Sequence, residues 1–128
     1  MSENQNGFDP VKGILYTRSN GITHLEDMLK GINSLAANNL LPRKLKIIED
    51  ALEAITTFSA REISIITKRL EEVLIEYTSI RHAVVHIDPK NTALSILIAM
   101  KVNNPKYCLA TFSTMKAAQE WILSDNPA

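Results

Sequence analysis

The residues of this chain that could do acid–base or ligand chemistry are few, and they gather at three places: Glu49 with Asp50, His82 through His86 to Asp88, and Ser113 with Thr114. A carboxylate beside an imidazole can move protons near neutral pH, because histidine titrates there. His82 and His86 are four apart, a spacing that on a helix would put both on one face and allow chelation of a metal. The run Ala83 to Ile87 favours a strand instead. On a strand the two imidazoles lie roughly 13 Å apart, at about 3.3 Å per residue, too far for one ion. No metal and no cofactor are expected. Gly7, Gly13, Gly21 and Gly31 form neither a Walker nor a dinucleotide fingerprint, and no serine stands in a G-x-S-x-G elbow. Cys108 lies inside a predicted strand, where a thiol is ordinarily buried and inert. With catalytic signatures absent, Asp50, His86 and Asp88 are candidates for binding first, and an enzyme working through these three residues is the third and least favoured reading. Asp88, Asn91 and Thr92 also suit a helix start, as do Ser113 and Thr114, since their oxygens accept from unpaired backbone donors there. Asp50 follows an apolar strand and stands outside any obvious cap.

The elements that would hold these groups alternate between strand and helix. Gly13 to Arg18 predicts a strand closed by an Asn20-Gly21 turn, and Thr23 with Glu26 predicts a capping box. Leu25, Met28, Leu29, Ile32 and Leu35 then form one apolar helical stripe. Leu45 to Asp50 reads as a short strand ending in two carboxylates. Ser59 and Glu62 make a second capping box flanked by the staple pair Phe58 and Ile63, and Ile63, Ile66, Leu70, Val73, Leu74 and Tyr77 mark the buried side of a long helix. Ala83 to Ile87 reads as a central strand buried on both faces. Asn91 to Val102 is apolar nearly all round and long enough for a helix, Tyr107 to Phe112 is a last strand, and Ala117, Ala118, Trp121 and Ile122 fall on a last helix. The expected class is α/β, with mixed α+β as the alternative: about four to five strands in a largely parallel sheet with four helices. Residues 1–10 are expected to be a flexible N-terminus or short edge strand, 11–124 a single domain, and 125–128 a frayed tail.

Composition bounds the function. In 128 residues, 45% apolar and 22% charged, one core is normal and disorder is excluded. Fourteen basic and fourteen acidic residues cancel, so no long-range field draws the chain to nucleic acid. The one basic knot, Arg43, Lys44 and Lys46, reads as the solvated start of a strand. The longest apolar run, Ala93 to Met100, falls far short of the roughly 20 residues that cross a bilayer, so no integral membrane segment is expected. The polar Met1 to Asn6 lacks a signal-peptide pattern, and one cysteine gives no internal disulfide; a cytoplasmic location is expected.

The segments Gly21-Ile-Thr-His-Leu-Glu-Asp, Phe58-Ser-Ala-Arg-Glu-Ile, Arg81-His-Ala-Val-Val, Asn91-Thr-Ala-Leu and Phe112-Ser-Thr-Met-Lys-Ala-Ala-Gln-Glu-Trp resemble the small bacterial STAS-like proteins. The likeness runs from about Gly13 to Leu123. It implies the fold of anti-sigma factor antagonists, a grouping sometimes extended to lipid-carrying proteins, and a role in binding a partner protein or a small ligand. Phosphorylatable STAS switches place a serine directly after an aspartate at a helix start; here Asp50 is followed by Ala51, so that switch is missing. Two functions stand open besides the enzymatic one. The surplus apolar side of the Asn91 to Val102 helix, with Leu94, Ile98 and Val102, would suit a regulatory partner or a second copy of the chain as a homodimer. Alternatively, a small apolar ligand or lipid would sit between that helix and the sheet.

Overall fold

The computed structural model describes residues 3–124. Five strands, β1 (Glu3–Asp9), β2 (Ile14–Thr23), β3 (Lys44–Thr56), β4 (Ser79–Val85) and β5 (Tyr107–Phe112), form one sheet in the order of the chain. β1 pairs antiparallel to β2 as an edge strand, and every other pairing is parallel. The crossovers carry α1 (Leu25–Ala37), α2 (Ile63–Leu74) and α3 (Pro89–Lys101), and α4 (Met115–Leu123) follows β5. Strands that follow one another in chain order, joined by crossovers of one hand, place every crossover helix on the same face. Accordingly Ile32, Leu35, Ile66, Leu70, Leu94 and Ile98 pack on Leu15, Ile47 and Ile80, while Ala118 and Ile122 of α4 cover Ile14, Ile48, Ala83 and Val85 on the other face. The architecture is the expected mixed α/β sheet with four helices. Among the described residues no helix is long and apolar enough to cross a membrane. The tail at 125–128 lies outside the described residues.

Local expectations hold where a side chain makes the boundary. The backbone N–H of Ser59 donates to the Glu62 carboxylate at 3.1 Å, and Phe58 and Ile63 are buried beside it. A single 3-10 turn (Ala60–Glu62) precedes α2; the predicted stripe from Ile63 to Tyr77 is buried throughout, but the helix ends at Leu74 and Tyr77 lies beyond it. Asp88 caps α3 through the Asn91 N–H, and Thr114 caps α4 through the Ala117 N–H at 3.1 Å.

Several boundaries differ. The Asn20-Gly21 pair is not a turn: Gly21 takes φ 75° within β2, next to a register shift between Arg18 and Asn20 where β3 advances one residue more than β2. The capping box of α1 falls one residue later, with the His24 N–H donating to the Asp27 carboxylate at 2.8 Å. β3 runs to Thr56, because its second half pairs with the continued β2 through Gly21↔Ala54 and Ile22↔Ile55. β4 begins four residues early, at Ser79, and stops before Ile87, which is exposed. Arg43 is no solvated strand start either. Its guanidinium lies 4.1 Å from the centre of the buried Tyr77 ring and donates to the carbonyls of Asn38, Leu41 and Glu76.

Candidate functional site

Alternation along the strands decides which polar groups meet. Glu49 in β3, His82 in β4 and Tyr107 in β5 share the face under α1, α2 and α3 with Leu15, Ile47, Ile80 and Leu109. His82 Nε2 lies 2.9 Å from Glu49 Oε1, and His82 Nδ1 lies 2.8 Å from the Tyr107 hydroxyl. The three form a line of hydrogen bonds across three strands. It floors a cavity of about 150 Å³ roofed by the crossover helices and walled mostly by aliphatic side chains.

Protonation in this line follows from burial and neighbours. Burial works to raise the Glu49 carboxyl, but the His82 hydrogen bond and the electrostatic influence of the nearby His82 and His86 rings outweigh it and hold the group below its ordinary 4.5. Burial, then the negative charge of Glu49 and the nearby Cys108, push the Tyr107 phenol well up from its ordinary value, so it stays protonated. Glu49 is therefore a carboxylate at neutral pH and Tyr107 a phenol. Nε2 is engaged by Glu49 and Nδ1 by the Tyr107 hydroxyl, leaving neither ring nitrogen of His82 for a substrate. Glu49 Oε2 has no hydrogen-bond partner among the described residues, and the side chain borders the cavity.

The residues expected to form a site are not brought together. Asp50 lies inside β3, not at its end, and its parity with Ile48 turns it to the α4 face; its Oδ1 accepts from the Leu52 N–H at 3.2 Å. His86 sits on the opposite face, buried, its Nε2 3.1 Å from Ser95 Oγ and its Nδ1 3.1 Å from Thr92 Oγ1. The Thr92 hydroxyl donates to the Asp88 carbonyl and so accepts from Nδ1–H, while Nε2 accepts from Ser95. Burial lowers the His86 pKa against the opposing charges of Glu49 and Asp88, so a neutral ring ties β4 to α3. Asp88 is committed to its cap. His82 and His86 share a strand face without meeting, as their spacing on a strand requires. Among the described residues no cluster of three or more His, Cys, Asp or Glu could hold a metal ion.

The side of α3 expected to face a partner is also inverted. Leu94, Ile98 and Val102 are 7%, 7% and 4% exposed within the core, whereas Ile96 and Met100, at 49% and 71%, point outward. Helix residues near-uniform in hydropathy carry no stripe from which to read this. Ile98 borders the cavity instead. After Asp50 the chain continues as strand, so the place where a switch serine would begin a helix does not exist here.

No family model matches the sequence, and no curated protein matches it. Solved structures do. An uncharacterised protein of the DUF3478 family with a SpoIIAA-like fold, from Shewanella loihica PV-4, superposes with a TM-score of 0.64 at 13% identity, over 95% of each chain. An anti-sigma factor antagonist from Mycobacterium paratuberculosis gives a TM-score of 0.59 at 10% identity, over 97% of this chain and 96% of that one.

Proposed function

We propose that this chain, a SpoIIAA-like fold over residues 11–124, is a cytoplasmic regulatory module that works by binding and not by catalysis, and that its ligand is a small, largely apolar molecule. The observation that supports the reading is the cavity of about 150 Å³ between the sheet and the crossover helices, mostly aliphatic, with the Glu49–His82–Tyr107 line on its floor and Thr17, Ser19, Asp27, Ser34 and Ser95 among its polar lining. An apolar cavity of this size holds a molecule like benzene. It is well below the roughly 300 Å³ at which drug-sized ligands begin, so a lipid chain does not fit in this state. The same line argues against catalysis: both imidazole nitrogens are occupied and the phenol is held protonated, which leaves no activated nucleophile and no free base nitrogen.

A second reading, a protein partner or a second copy of the chain, draws on the likeness to an anti-sigma factor antagonist and on the outward apolar residues Ile96 and Met100. Native mass spectrometry of protein purified from cells reads ligand and subunit count in one spectrum. A monomer carrying a reproducible small added mass is the expected result. Ligand-free spectra in every preparation overturn the ligand, and a ligand-free dimer moves the second reading into its place.

A further inference from the structure

We infer that the cavity selects a small primary amine, an apolar body of about benzene size bearing one ammonium group that binds the open oxygen of Glu49. The inference rests on the cavity reading above and adds the chemistry of the head group. Its first ground is charge. Among the described residues the lining contains two carboxylates, Glu49 and Asp27, and neither lysine nor arginine. Asp27 is already engaged at the start of α1, where it accepts from the His24 N–H, so the uncommitted acceptor is on the sheet side.

The second ground is satisfaction of the carboxylate. Glu49 is 18% exposed at the side chain and spends Oε1 on His82, so a largely desolvated carboxylate that lines the cavity has a second oxygen without a hydrogen-bond partner among the described residues. A buried charge is costly until it is paired and hydrogen-bonded. An ammonium supplies both charge and N–H donors. Thr17, the partner of Glu49 in the β2–β3 register, also borders the cavity and offers a hydroxyl as a second acceptor for the same head. A neutral alcohol would give Glu49 a hydrogen bond but no countercharge. A carboxylic acid would arrive as an anion beside Glu49 and Asp27, and the basic side chain in the lining, His82, already has both ring nitrogens engaged by Glu49 and Tyr107.

The third ground is shape. Leu15, Ile47, Ile66, Leu70, Ile80 and Leu109 make up much of the remaining wall, so the remainder of the ligand is mainly hydrocarbon and short. The polar head lies against the strands and the body extends toward α1 and α2.

Isothermal titration calorimetry at pH 7 on the full chain tests this with four probes of one shape: benzylamine, benzyl alcohol, benzoate and toluene. Benzylamine is expected to bind at least tenfold tighter than benzyl alcohol, and benzoate not to bind. Glu49→Gln should weaken benzylamine at least tenfold and leave toluene unchanged. Benzyl alcohol or benzoate matching benzylamine, or an unaltered benzylamine affinity in the variant, overturns the amine while toluene binding keeps the cavity reading intact. Should none of the four bind, both fall. If Glu49→Gln does not fold, the order of affinities in the wild-type chain decides, with Thr17→Val as the second variant, expected to weaken benzylamine and not toluene.

Discussion

The orientation of α3 about its own axis is what separates a cavity wall from a partner-facing surface, and two substitutions on that helix decide it. Ile98 and Met100 are two residues apart, about 200° around a helix. Ile98 is 7% exposed and packed in the core, Met100 71% exposed. Ile98→Ala removes three buried carbons at about 0.8 kcal/mol each, and relaxation around the hole adds to that. Because part of Ile98 already faces the cavity, the cost falls at the low end of the usual range, about 2–3 kcal/mol. Met100→Ala touches little and should cost less than about 0.5 kcal/mol. For a chain of this length each kcal/mol moves the melting temperature by roughly 3–5 °C, so the pair should differ by about 5–15 °C. Urea unfolding followed by circular dichroism, with a common slope for wild type and both variants, gives the two costs directly. If Met100→Ala costs as much as Ile98→Ala, α3 is turned the other way, Ile98 faces a partner, and the cavity loses one wall.

Two further outcomes follow from groups already placed. The Tyr77 hydroxyl donates to the Leu35 carbonyl at 2.7 Å, in the last turn of α1 where helical carbonyls lack donors. Tyr77→Phe should therefore cost about 1–2 kcal/mol in urea unfolding while the Arg43 guanidinium still stacks on the ring, and an unchanged midpoint would refute the bond's contribution. Glu49 is held below its ordinary 4.5 in the folded chain, so the unfolded chain binds the extra proton first on acidification. Its contribution is fully present above pH 4.5 and is lost as pH falls through the folded value. The stability gap between wild type and Glu49→Gln should be constant near neutrality and shrink below pH 4.5; a gap that stays level to strong acid contradicts the assignment.

Sequence shows best what one residue or one stripe decides. The Ser59–Glu62 box, the Asp88 and Thr114 caps and the stripe from Ile63 to Tyr77 are all local, and each stands where its spacing places it. β3 was legible only as far as Asp50, because Ala51 to Ala54 break the alternation at the point where the strand bulges and are held by pairing with β2. Asn20-Gly21 has the composition of a turn, yet the positive φ at Gly21 is absorbed within a paired strand. The polar line was out of reach for a different reason. Glu49 and His82 are 33 residues apart and Tyr107 a further 25, and no local pattern joins them. The usable signal was parity: once three strands are in register, their alternate residues share a face. Glu49 was visible as half of an acidic pair, but attention to the strand end favoured Asp50, the half that points away.

The strand order carries a consequence for synthesis. Each strand from β2 onward pairs with the one made just before it, so the sheet and its α1–α3 layer can assemble in the direction of translation, with no strand waiting for a later partner. The far face has no such luck. Among the described residues Ile14, Ile48, Ala83 and Val85 are covered by α4, which follows β5, and Arg81, lying 3.9 Å from the Trp121 ring centre and bonded to the Trp121 carbonyl, finds that partner only then. A nascent chain free as far as Phe112 but not yet Met115 has its α1–α3 side packed and its other hydrophobic side bare until α4 closes over it.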